Sequence, residues 1–126
     1  MRKILALKLV ELCSKAFADG SEPPTDQLLA DRLHAPVRLV RGILYDLTAA
    51  GVLNSVRHDD RPGERFQPGM RLELLTISKI LQALDLRGGQ DLPPAAAADL
   101  QNLTERLDAF DNLIAESAKN VAVVDL

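Results

Sequence analysis

The feature that most constrains this chain is the punctuation between Thr25 and Gly51. Thr25 followed by Asp26 reads as a helix N-cap with an acid in the first turn, where negative charge suits the helix dipole. Leu28, Leu29 and Leu33 supply the inward face of a short helix over Asp26 to Leu33. His34–Ala35 is a turn, and Pro36 fits the first position of the next helix, where a missing N–H costs nothing. That helix runs from Pro36 to Ala50, with Val40, Ile43, Leu44 and Leu47 at helical spacing, and Gly51 stops it. Two helices joined by so short a turn form a helix-turn-helix.

The flanks extend this reading. Ile4, Leu5, Leu7, Leu9, Leu12 and Ala16 give an apolar stripe on a first helix from Arg2 to Asp19, ended by Gly20. Ser21–Pro24 is a stiff connector. After Gly51, Val52–Val56 reads as a strand, His58–Gly63 as a polar turn and Arg65–Gln67 as the return strand, ended by Pro68–Gly69. Leu72–Leu75 is a connector, and Thr76 caps a fourth helix over Ile77 to Asp85 with Ile77, Ile80, Leu81 and Leu84 facing in. Apolar residues are 47% of the chain and aromatics only 3%, so aliphatic side chains must fill the core, which favours helices over a sandwich. The expected fold is mainly α with a small β-hairpin: a winged helix-turn-helix plus a C-terminal helix. It divides into a winged-helix domain over 1–87, a linker over 88–94 marked by Gly88, Gly89, Pro93 and Pro94, and a C-terminal helix with its tail over 95–126.

Arg38, Arg41 and Tyr45, with Gly42, fall on the side of the third helix opposite its apolar face. Arginines placed there can grip phosphates or a guanine edge, and Arg57, Arg61 and Arg65 of the wing suit an adjacent backbone. Charge argues the other way. Residues 1–75 carry 11 Lys+Arg against 10 Asp+Glu, and residues 76–126 carry 4 against 8, whereas a strong non-specific nucleic-acid binder is frankly basic. Asp46, Asp59, Asp60 and Glu64 lie beside the arginines and repel phosphate. The competing reading of the whole set is a solvated charged face.

No residue pattern suggests catalysis, a cofactor or a metal. His58, Asp59, Asp60 and Glu64 match no metal-loop spacing. His34 has no nucleophile motif beside it, and Cys13, near Leu9 and Phe17, reads as an inert core thiol. A lone cysteine cannot close an internal disulfide, which fits a reducing compartment, and no run approaches the roughly 18 apolar residues that span a bilayer. The expected location is cytoplasmic.

Leu100, Leu103, Leu107, Phe110 and Ile114 alternate spacings of three and four along the last helix, a heptad-like seam. It either packs on the first helix or pairs with a second copy or another partner. Val121–Val124 reads as an exposed apolar tail of the kind that pairs with a strand edge.

The segments GSEPPTDQLLADRLHAPVRLVRGILYDLTAAGVL, RFQPG and LLTISKILQAL resemble the cytoplasmic C-terminal domain of the YihY/BrkB, or ribonuclease BN-like, membrane proteins, over roughly residues 3–87. The resemblance implies a non-catalytic docking or regulatory domain, partnered by another protein or by a membrane domain of its own and held at the inner membrane. The ribonuclease activity in the family's name finds no acid–base pair here. The pattern Leu-Ala…Leu…Val…Leu-Val-Arg…Leu…Leu…Ala-Gly-Val-Leu also resembles small winged-helix regulators of iron–sulfur and cysteine metabolism, but the cluster-binding cysteines after the wing and a glycine-rich wing tip are missing, which speaks against cluster sensing. The alternative function, read from the arginines of the third helix and the seam of the last, is a dimeric DNA-binding transcription regulator.

Overall fold

A computed structural model describes residues 2–57, 63–88, 106, 109–110, 112–114, 116–117 and 119–126. Helix α1 spans Arg2–Ala18, α2 Asp26–Leu33 and α3 Val37–Ala49. Strands β1 (Leu53–Val56) and β2 (Arg65–Pro68) follow, then a 3-10 turn at Leu72–Leu74 and α4 over Ile77–Gly88. This is the winged helix-turn-helix that the punctuation predicts.

The helix ends show why. Thr25 Oγ1 accepts the Leu28 N–H at 3.2 Å, filling one of the orphan donors of the first turn of α2. At the other end His34 adopts a left-handed conformation with φ of 51°, and Ala35 N–H reaches back to Ala30 O at 3.1 Å. Pro36 sits one place earlier than expected, as the N-cap of α3, with extended ψ of 132°. Gly51, at φ +81°, ends α3 while Val52 N–H bonds Leu47 O at 3.0 Å, a closure that requires the left-handed region.

The core centres on α1, which touches α2, α3, α4 and β2. Its buried residues are Ala6, Leu9, Val10, Glu11, Cys13 and Ser14. The predicted stripe is rotated: Ile4 is 70% exposed and Phe17 56%, so Phe17 does not cover Cys13 in the core. Val40, Ile43, Leu44 and Leu47 of α3 are buried as expected. On α2, Leu29 and Ala30 are buried while Leu28 is half-exposed. The buried arc of α2 is centred on Leu29 and Ala30, and Leu28, about 100° from Leu29 on the side away from Ala30, falls outside it. On α4, Ile80 and Ala83 are buried, and Ile77, Leu81 and Leu84 are only half-buried.

The wing is tied at its base. β1 and β2 pair antiparallel in the register Leu53↔Pro68 to Val56↔Arg65. Phe66 N–H also donates to Pro24 O at 2.9 Å, so the connector before α2 lies against β2 as a third short edge. A Cβ on Gly69 would stand 2.5 Å from Gly51 O, so only glycine lets the end of β2 approach the end of α3.

The tail differs most from expectation. Far from lying exposed, Ala122 and Val123 are buried, Val123 completely. Val123 N–H donates to Leu75 O at 2.9 Å, Ile77 N–H donates to Val121 O at 3.1 Å, and Thr76 and Ala122 form an antiparallel bridge. Asn120 Oδ1 accepts the Ser78 N–H at 2.9 Å, and its amide donates to Ser78 Oγ at 2.9 Å. Residues 120–126 thereby cap α4 and seal the core of the winged-helix body.

Candidate nucleic-acid interface

α3 has two chemically distinct sides. Its apolar residues hold it against α1 and α4, which leaves Arg38, Arg41, Gly42 and Tyr45 exposed on the other. Tyr45 is 69% exposed. A Cβ on Gly42 would meet nothing within 4 Å, so the fold itself makes no demand for glycine there. Glycine inside a helix costs roughly 0.5–1 kcal/mol relative to alanine. Its effect is a flat spot on the outward surface, beside both arginines.

The arginines differ in their surroundings. Arg38 is exposed and forms no ion pair among the described residues. Arg41 Nε donates to Asp26 Oδ2 of α2 at 2.6 Å. Arg57, on the wing, pairs with Glu64 at 3.0 Å in an exposed position. Arg65 is turned away: its Nη1 donates to Pro23 O at 2.9 Å and lies 3.6 Å from Glu22 Oε2, with its side chain only 18% exposed. It serves the wing's attachment to the connector. Arg61 lies outside the described residues, as do His58, Asp59 and Asp60.

Between α3 and the wing runs a groove of about 630 Å³, lined by Arg41, Tyr45, Thr48, Ser55, Arg57 and Phe66, with Asp26 and Glu64 beside the two arginines. Hydroxyls and guanidinium groups are thus collected along one open channel. Asp46, expected to repel phosphate, pairs instead with Arg2 at the start of α1. Asp26 was legible in the sequence as a first-turn acid, but its contact with Arg41 was not. No local signal links residues that meet only when two helices cross.

Burial pushes the Cys13 thiol up to about 12, which keeps it protonated and unreactive at neutral pH. His34 is exposed in its turn. Among the described residues no group of three or more His, Cys, Asp and Glu could hold a metal ion.

Of the predicted seam, Leu100, Leu103 and Leu107 lie outside the described residues. Phe110 and Ile114 are helical and 62% and 53% exposed, and Leu113 beside them is 65% exposed. These three, at i, i+3 and i+4, make one apolar face turned to solvent.

No family model matches the chain, and no curated protein matches it in sequence. Solved structures match it in shape. The chain shares the fold of CymR. CymR from Staphylococcus aureus aligns at a TM-score of 0.62 and 18% identity, covering 98% of this chain and 92% of that one. CymR of B. subtilis, the global cysteine regulator of that organism, aligns at 0.63 and 13% identity, over 98% and 92%. A candidate transcriptional regulator from Listeria innocua aligns at 0.58 and 14%, over 92% and 85%. At these identities the likeness is one of fold.

The resemblance to YihY/BrkB membrane proteins is overturned by these neighbours, which are regulators matched over nearly their whole length. The ribonuclease BN-like assignment goes with it. The quoted segments misled because they are caps, turns and core leucines that any winged helix needs. Among the described residues no helix is long and apolar enough to cross a membrane. A missing membrane domain as partner, and a place at the inner membrane, lose their basis. The second resemblance, to winged-helix regulators of cysteine metabolism, agrees in fold with the solved structures.

Proposed function

We propose that the chain is a non-catalytic, DNA-binding transcription regulator that acts in the cytoplasm as a homodimer. The observation that carries this reading is the outward side of α3, where Arg38, Arg41 and Tyr45 flank a glycine the fold does not require, next to a groove that continues onto the wing. A helix presented in this way enters a major groove, and a wing beside it follows the neighbouring backbone. Arg38 and Arg41 would contact bases or phosphates, and Arg57 and Arg61 phosphates, whereas Arg65 would act on the wing's position. The regulators that share the fold support the same reading.

The acidic balance of the chain is compatible with it. Asp26 and Glu64 each offset an arginine of the surface, so attraction to bare backbone is weak and affinity must come from a matched site. The proposed division, a head over 1–87, a linker over 88–94 and a C-terminal helix with its tail over 95–126, fits a dimer once its edges are moved: Gly88 still belongs to α4, and residues 120–126 pack on the head. The apolar face of Phe110, Leu113 and Ile114 would meet its copy, and the heptad-like spacing of Leu100, Leu103 and Leu107 in the sequence supports the same contact. A two-fold dimer would set two α3 helices on half-sites about one helical turn apart.

Fluorescence anisotropy with random and site-selected duplexes tests this. Binding to a selected site should weaken as salt rises, with the modest slope of few phosphate contacts, and the double change Arg38→Ala, Arg41→Ala should abolish it. No binding at low salt would refute the proposal. Analytical ultracentrifugation of Ile114→Asp should show a monomer where the parent chain is a dimer.

A further inference from the structure

We propose that Asp26 is a positioning residue that sets Arg41 to read a guanine. This rests on the DNA-binding reading above and adds the chemistry of one contact. Asp26 is held at both oxygens: Oδ1 accepts the Gln27 N–H at 2.7 Å, and Oδ2 accepts Arg41 Nε at 2.6 Å. The aspartate belongs to the first turn of α2 and the arginine to the second turn of α3, so the bond spans the crossing of the two helices. Asp26 is mostly covered and Arg41 61% exposed, which puts the guanidinium at the surface with its inner edge fixed.

An arginine can offer a fork in two ways, side-on through Nε and one Nη, or end-on through both Nη groups. With Nε taken by Asp26, only the end-on fork remains, and neither Nη is bonded among the described residues. Two parallel donors of that spacing match O6 and N7 of guanine in the major groove. They also match a phosphate, but there the aspartate works against binding, because its charge offsets that of the arginine and sits close to the anion. The pair therefore favours a neutral base edge with two acceptors over the anionic backbone. Arg38, on the same face and one turn earlier without such a partner, keeps its full charge for phosphate.

Site selection from a random duplex library, run in parallel on the parent chain, Arg41→Ala, Asp26→Asn and Arg41→Lys, decides the matter. The parent should enrich a motif with guanine at a position that Arg41→Ala leaves free. Asp26→Asn should flatten preference at that same position, by about ten- to a hundred-fold, while binding to random duplex stays equal or strengthens. Arg41→Lys retains the charge and lies on the exposed surface, so it tests the fork without endangering the fold, and it should lose the same preference. Full preference kept by Asp26→Asn or by Arg41→Lys would overturn the proposal while leaving DNA binding intact. A parent chain that binds no duplex would remove both.

Discussion

Two parts of this molecule reach their structure by opposite routes. The helix-turn-helix, α2 through α3, is built from neighbours: Thr25 caps three residues ahead, His34 and Gly51 close the helix just behind them, and Val40, Ile43, Leu44 and Leu47 repeat at one period. The closing segment, residues 120–126, has little local structure beyond one 3-10 turn and a bond from Asn120 N–H to Ser117 O, and its long-range bonds go to Leu75, Ile77, Ser78 and Lys15. One is specified by punctuation and the other by distant edges left open for it. The first is therefore readable from a window of sequence, and the second only from the assembled core.

The comparison can be broken most forcefully at Leu44, which is 1% exposed beneath α3. Leu44→Ala should cost about 2–5 kcal/mol in urea denaturation, because the cavity is enclosed on all sides. A cost below 1 kcal/mol would mean that α3 is not held by its apolar face. Next in size is Val123→Ala. If the closing segment belongs to the core, losing two buried methyl groups should cost about 1.6 kcal/mol, and amide exchange at Val123 should accelerate. A segment that merely rests on the surface would show neither change.

Thr25→Ala should cost about 1 kcal/mol, the ordinary loss of a cap, and it should leave protection at Val123 untouched. A smaller effect belongs to Glu11, which holds Lys15, the α1 side chain that reaches the closing segment. Burial raises its pKa, but hydrogen bonds from Lys15 and Lys8 outweigh that and hold the carboxyl below its ordinary value of 4.5. Lys15 also donates to Leu126 O at 2.8 Å. A lowered folded pKa means that the stabilisation is complete above 4.5 and fades as pH falls through the folded value. Thermal melts of Glu11→Gln should therefore lose less than the parent between pH 5 and pH 3 (roughly the span of a perturbed carboxylate). Identical acid limbs would show that Glu11 contributes nothing there.

Much of the fold was legible. The element order, both helix stops, the hairpin and the buried side of α3 follow from caps, glycines and a single period. The outward placement of Arg38, Arg41 and Tyr45 follows from the same period. What escaped has a common cause. Arg65 alternates with Phe66 along a strand and so looks outward, but its partners Pro23 and Glu22 lie some forty residues earlier. The tail looks like a sticky edge, until Leu75 and Ile77 are seen to offer it a carbonyl and an N–H. Leu28 and Ile4 fit an apolar stripe, yet which arc of a helix is covered depends on where its neighbours cross. The family resemblance failed differently: its motifs report the mechanics of capping and turning, which many lineages share.

The attachment of β2 to the connector has a last consequence. Phe66 and Arg65 fasten the ribbon to the strand of chain that leads directly into α2. Ribbon and helix-turn-helix are thus fastened to the same length of chain, and those bonds set the gap between them. If the proposed binding of DNA holds and that gap does not widen, the double helix would have to supply the compliance, and sites would be sorted by how readily their base steps bend as well as by their edges.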